Sequence, residues 1–157
     1  MPPEPLFDLS QIDPSKVLAD REAIAKVNPH RFEFAQLDGI YLCDPDRGVV
    51  VGYRDVHEDE FWVRGHIPGR PIFPGVLMIE TAAQLFSYFV VTSSTESGFL
   101  GFGGVRNAKF RGAVVPGQRI IMIGSMVESR RRRHVGATQA FVDGQMVYEG
   151  TIIGMWV

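Results

Sequence analysis

GHIPGRPIFPGVLMIETAAQ, residues 65–84, is the stretch whose reading decides the fold. Prolines at 68, 71 and 74 fix φ repeatedly, so the segment leading into the apolar run is expected to be extended and stiff, holding His66 in a set place. Pro74-Gly75 then opens a helix. The N–H groups of its first turn have no acceptor within the helix, and with the helix dipole they favour negative charge such as a developing oxyanion. Glycine at 75 lets a substrate carbonyl come close to the backbone. About a turn and a half further on stands Glu80, with Gln84 and Ser87 on the same face at i+4 and i+7. Flanked by Val76, Leu77, Ile79 and Ala83, its carboxyl is expected to be desolvated, which favours the protonated form a general acid needs.

The apolar run continues to Val91 but is interrupted by Glu80, Thr81, Gln84, Ser87 and Tyr88. It is short for the roughly 20 residues of a bilayer span, so a buried core helix is expected. Before it, strand-like runs cover 36–43, 48–55 and 61–64, the first two joined by the turn Asp44-Pro45-Asp46-Arg47-Gly48. After it come runs at 103–110, 119–127, 134–142 and 145–156, the last two joined by Asp143-Gly144, a strong hairpin signal. One long helix and six or seven mostly antiparallel strands predict an α+β layout, an antiparallel sheet wrapped around a central helix. Further out, Asp13-Pro14 predicts a short helix running to about Val27 and stopped by Asn28-Pro29, an appendage with a thin apolar stripe of Val17, Ile24 and Val27.

The 157 residues suit one domain with a sizeable core, and 45% hydrophobic with 22% charged residues at net charge −2 excludes disordered and nucleic-acid-coating classes. The single cysteine, Cys43, cannot form an intrachain disulfide, and no Cys/His cluster offers a metal site. The opening MPPEPLFDLSQ lacks a basic segment followed by an apolar core, so a cytoplasmic location with no membrane anchor is expected. His30 and His57 lack acidic or cysteine neighbours spaced for a metal and are read as structural. Gly101-Phe102-Gly103-Gly104 lacks the Lys-Ser/Thr of a phosphate loop. Arg130–Arg133 with His134 is read as a solvated strand edge, with a contact for an acidic partner as the sharper alternative. Singly, each feature of residues 65–84 has an ordinary reading: a hydrogen-bonded histidine, a helix start, the wet stripe of an amphipathic helix.

In their ordered combination these residues resemble the active-site segment of the bacterial 3-hydroxyacyl-acyl-carrier-protein dehydratases of fatty acid biosynthesis. Pro29-His30-Arg31-Phe32 is similar to that family's opening, and Lys109-Phe110-Arg111 with Val114-Val115-Pro116-Gly117 to its strand and turn after the helix. The likeness covers residues 29–157, leaving 1–28 as an N-terminal extension, and it is to the branch with glutamate, rather than aspartate, at the position of Glu80. It implies a hot-dog fold, His66 as catalytic base, Glu80 as catalytic acid, and the Gly75 N–H on the thioester oxygen beside Val76 and Gln84. It further implies a (3R)-3-hydroxyacyl chain on the phosphopantetheine of an acyl carrier protein, dehydrated to the trans-2-enoyl form without metal or organic cofactor. A homodimer or trimer of dimers would share each His66/Glu80 site between subunits, with no nucleic acid and no membrane involved. Ile67 departs from the family's usual phenylalanine, Ala83 from methionine, and Val105-Arg106 from an Ile-Asp pair, which bears on acyl-chain fit. The rival readings are a hydratase or thioesterase acting on coenzyme A esters, and a non-catalytic acyl-binding subunit.

Overall fold

The computed structural model describes residues 1–157. In chain order the elements are β1 (Ala19–Asp20), α1 (Arg21–Ala25), β2 (Gly39–Asp44), β3 (Val49–Asp55), α2 (Gly75–Ser93), β4 (Leu100–Phe110), β5 (Arg119–Ser129), β6 (Arg133–Val142) and β7 (Gln145–Trp156). The strands form one antiparallel sheet in the order β1-β2-β3-β5-β6-β7-β4. It curls around α2, which packs on β3, β4, β5, β6 and β7. This is the hot-dog arrangement expected from the sequence.

α2 is long and apolar enough to cross a membrane by composition, but it is the core of the molecule. Its buried residues, among them Leu77, Met78, Leu85, Phe86 and Phe89, face the sheet, while Val76, Glu80, Ala83, Ser87 and Val91 form a less buried stripe along the other side. Burying side chains of this size stabilises by about 1.5–3 kcal/mol each. Glycines let the helix sit this close: a Cβ on Gly136 of β6 would fall 2.3 Å from the Phe86 ring, and one on Gly52 of β3 2.9 Å from Leu85.

The hairpins follow their turn chemistry. Asp143 and Gly144 have φ of 49° and 78°, the doubly positive pair of a type I′ turn. In the β2–β3 turn the Asp44 carboxylate accepts from the N–H groups of Asp46 and Arg47, and Gly48 takes φ 67°. β3 reads Val49-Val50-Val51 rather than alternating because both its faces are covered. Val50 packs in the α2 core, while Val49 and Val51 pack on the outer face with Phe7, Tyr41, Ile123 and Phe141.

The N-terminal segment differs from the expected helix over 13–27. The Asp13 carboxylate accepts from both the N–H and the hydroxyl of Ser15, closing a local turn instead of capping a helix. The chain then runs as an edge strand, Leu18 N–H donating to the Ile40 carbonyl and Ala19 pairing with Ile40. Only five residues become helical, capped by Asp20 on the Ala23 N–H. Nearer the start, the Leu6 N–H and Glu4 carbonyl bond the Gln139 amide and Phe7 inserts into the outer cluster, so residues 4–12 strap the back of the sheet.

The run 61–64 is not a strand. Glu60 and Trp62 carbonyls accept from Val63, Gly65 and His66 N–H groups, winding this region into tight turns. Nor is the proline segment uniformly extended: Ile67 and Arg70 exchange backbone hydrogen bonds around Pro68-Gly69, and Gly69 has φ 78°. Glycine supplies a reversal that the prolines alone do not forbid.

Candidate active site

His66 is held by three bonds within its own loop. Its N–H donates to the Trp62 carbonyl at 2.8 Å, its carbonyl accepts from Ile72 at 2.9 Å, and Nδ1 lies 2.7 Å from the Ile72 carbonyl oxygen. A carbonyl only accepts, so Nδ1 carries the hydrogen and the neutral ring presents Nε2 as an open base. The ring is exposed.

The helix start follows from Phe73, whose N–H donates to Val114 in the turn before β5, and from Pro74, the N-cap. The Pro74 carbonyl accepts from Leu77 and Met78, leaving the Gly75 and Val76 N–H groups without an acceptor. Phe110 of β4 lies against Gly75, 3.0 Å from where a Cβ would stand. Val76 is exposed, so these two donors sit at an open corner of the molecule.

Glu80 lies further along α2 and lines a cavity of about 90 Å³ with His30, Gln84, Ser87, Phe102 and Ile153. Its Oε1 accepts from Gln84 Nε2 at 2.8 Å and lies 3.5 Å from His30 Nε2. Gln84 is 2% exposed and saturated: Nε2 also donates to the Phe34 carbonyl, Oε1 accepts from the Gln36 N–H, and its backbone carbonyl accepts from Asn28. The Gln36 bond fixes the amide orientation, so Oε1 of Glu80 must be an acceptor and Oε2 is the oxygen free to carry an acid proton. Gln84, expected at the substrate, lines the same cavity, and its two amide hydrogens go to the Phe34 carbonyl and to Glu80.

Burial pushes the His30 imidazole below its usual range, the Glu80 charge opposing and the Arg31 charge adding to this. Its Nδ1 is buried without a partner. His30 was read from the sequence as structural, and its place beside Glu80 had no signal in residue spacing.

Within one chain the predicted acid and base do not meet. His66 does not line the Glu80 cavity, and no hydrogen bond or ion pair joins the two. β4, which walls that cavity with Leu100, Gly101 and Phe102, is the long open edge of the sheet. It carries the half-exposed side chains of Phe102 and Phe110, with Phe99 just before it. No group of three or more His, Cys, Asp or Glu side chains is disposed to hold a metal. Of the basic run expected as a solvated turn at 130–134, only residues 130–132 lie between β5 and β6; Arg130 and Arg133 pair with Glu128, Arg131 reaches Glu96 just beyond the C-terminal end of α2, and His134 is instead buried in β6.

A long helix carrying a carboxyl inside an antiparallel wrap places the molecule among hot-dog proteins, and comparison with known proteins narrows this. Residues 28–151 match the family model described as a FabA-like domain, and the chain belongs to that family. It is 34% identical over 135 residues to the 3-hydroxyacyl-[acyl-carrier-protein] dehydratase FabZ of Clostridium botulinum strain Loch Maree, covering 85% of this chain and 93% of that one. The FabZ of Clostridium novyi strain NT is also 34% identical, over 131 residues, covering 83% and 92%. Among solved structures, the dehydratase heterocomplex ApeI:P of Xenorhabdus doucetiae superposes with a TM-score of 0.72 at 14% identity, covering 85% of this chain and 90% of that chain, which supports the fold.

Proposed function

We propose that this protein dehydrates 3-hydroxyacyl chains carried on acyl carrier protein to trans-2-enoyl products in fatty acid biosynthesis, in the cytoplasm. His66 Nε2 removes a C2 proton, and those electrons form the C2–C3 double bond. The C3–O bond breaks, and Glu80 Oε2 gives its proton to the departing hydroxyl, which leaves as water. Enolate charge on the thioester oxygen is met by the Gly75 and Val76 N–H groups. The Nδ1–H bond to the Ile72 carbonyl holds the ring in the tautomer that leaves Nε2 open toward the substrate. Residues 29–157 carry the site in this reading, while residues 4–12 strap the back of the sheet and residues 19–25 add its edge strand and α1.

The observation that carries the reading is the opposite preparation of the two groups: one histidine nitrogen is tied to a carbonyl and the other left open, while one carboxyl oxygen is tied to an amide and the other left free. Their separation within one chain supports a dimer across β4, in which His66 of one subunit faces Glu80 of its partner. Relatives named as FabZ enzymes support the substrate. Purified protein incubated with 3-hydroxyacyl carrier protein is expected to release enoyl carrier protein without added metal or cofactor. Release of free acid would instead mark a thioesterase, and turnover only of the coenzyme A ester would remove the carrier protein from the proposal.

A further inference from the structure

Arg54, on β3, is a charged residue on the face of the sheet that points at the core. Val50, Gly52 and Arg54 alternate along the strand, and the first two meet α2 or its surroundings. Arg54 is only 6% exposed. A buried guanidinium requires partners, and these partners lead outward in three directions.

Toward the base, Nη1 and Nη2 form a two-pronged pair with the Glu60 carboxylate, with Nη1 to Oε2 at 3.0 Å. Glu60 also accepts from the His57 N–H at 2.7 Å and from Trp62 Nε1 at 3.0 Å. Trp62 in turn accepts from the His66 N–H through its carbonyl. Burial alone would raise the Glu60 carboxyl, but the Arg54 hydrogen bonds and charge with the His57 and Trp62 donors hold it below the usual range. Toward the acid, Nε donates to Gln36 Oε1 at 2.9 Å, the Gln36 N–H donates to Gln84 Oε1 at 2.9 Å, and Gln84 holds Glu80. Toward the oxyanion donors, the guanidinium lies 4.6 Å from the centre of the Phe73 ring, one residue before the N-cap Pro74.

We infer that Arg54 is a positioning residue that fixes the base-bearing turn, the acid-bearing helix face and the oxyanion corner from one buried point. The inference rests on the dehydratase reading above. It gives each chain one origin for parts that serve two different sites of the proposed dimer. Lysine cannot replace it, because an ammonium reaches Glu60 as a point charge but lacks the Nε–H for Gln36 and the planar fork.

The test is steady-state dehydration by the full-length protein carrying Arg54→Lys or Arg54→Met, beside Gln36→Leu and Trp62→Phe, which cut one branch each. For Arg54→Lys we expect kcat to fall by about 10²-fold, the scale of a catalytic group displaced by about 1 Å, with KM unchanged and the thermal melt near that of wild type. Arg54→Met is expected to lose more. Gln36→Leu and Trp62→Phe are each expected to lower kcat by a smaller factor at unchanged KM. Wild-type kcat in folded Arg54→Lys overturns the inference. So does full activity in both branch variants, if the Arg54 variants unfold. An inactive wild type would overturn the dehydratase reading itself, and the inference with it; an active wild type matched by its variants overturns the inference alone.

Discussion

His66 and Glu80 each have one polar atom committed to the protein and one left for chemistry. His66→Ala and Glu80→Ala are therefore expected to lower turnover by at least about 10²-fold while leaving the melting temperature close to that of wild type, since neither side chain is core packing. Near-wild-type turnover in either variant would remove that residue from the mechanism. Two other histidines contribute to the acid side of stability. Burial lowers His30 and His134 below their ordinary 6.5, and His134 Nε2 accepts from Trp156 Nε1, a bond that protonation would break. With the folded value below the unfolded one, their contribution is complete above about 6.5 and is lost as pH falls through the folded value. Thermal melts should be level above about pH 7 and decline as pH falls below about 6.5, and His134→Gln should flatten the decline. An unchanged slope in that variant would contradict the role given to His134. The proposed acid/base pair stood out in the sequence because its residue types stand in order around Pro74-Gly75. Arg54, Gln36 and Glu60 did not, since their pairing depends on three separate segments meeting; the one available signal was a charge at a core-facing strand parity.

At the scale of elements, the central helix and β3, β5, β6 and β7 were legible within one or two residues at most ends, because apolar periodicity and turn residues agreed. The misreadings at 13–27 and 61–64 share a cause. In both, side chains or carbonyls capture nearby N–H groups, Asp13 with Ser15 and Trp62 with His66, and so override the local apolar pattern. Helix and sheet depend on each other through close contact. Gly136→Ala places a methyl group against the Phe86 ring, so we expect about 1–3 kcal/mol of destabilisation by chemical denaturation. An unchanged midpoint would show that α2 is less tightly seated on β6 than the structure has it.

In the whole molecule both faces of the sheet are covered, by α2 and by the N-terminal strap, and one long edge is open. Residues 4–12 cover the back of the sheet through Phe7, Leu9 and Ile12 and the Gln139 amide, a role that composition could not reveal because the segment is short and lacks a regular apolar period. The open edge is β4, next to the Glu80 cavity, with His66 exposed on a separate loop. In the proposed dimer, a two-fold pairing of subunits along that edge would give two equivalent sites, each with His66 from one chain and Glu80 from the other. The measurement that tests this most directly mixes inactive His66→Ala with inactive Glu80→Ala under conditions of subunit exchange and assays enoyl formation. The shared-site account predicts recovered activity, because each mixed dimer regains one intact site. No recovery when mixed dimers are shown to form, or full activity from a monomer, would contradict it.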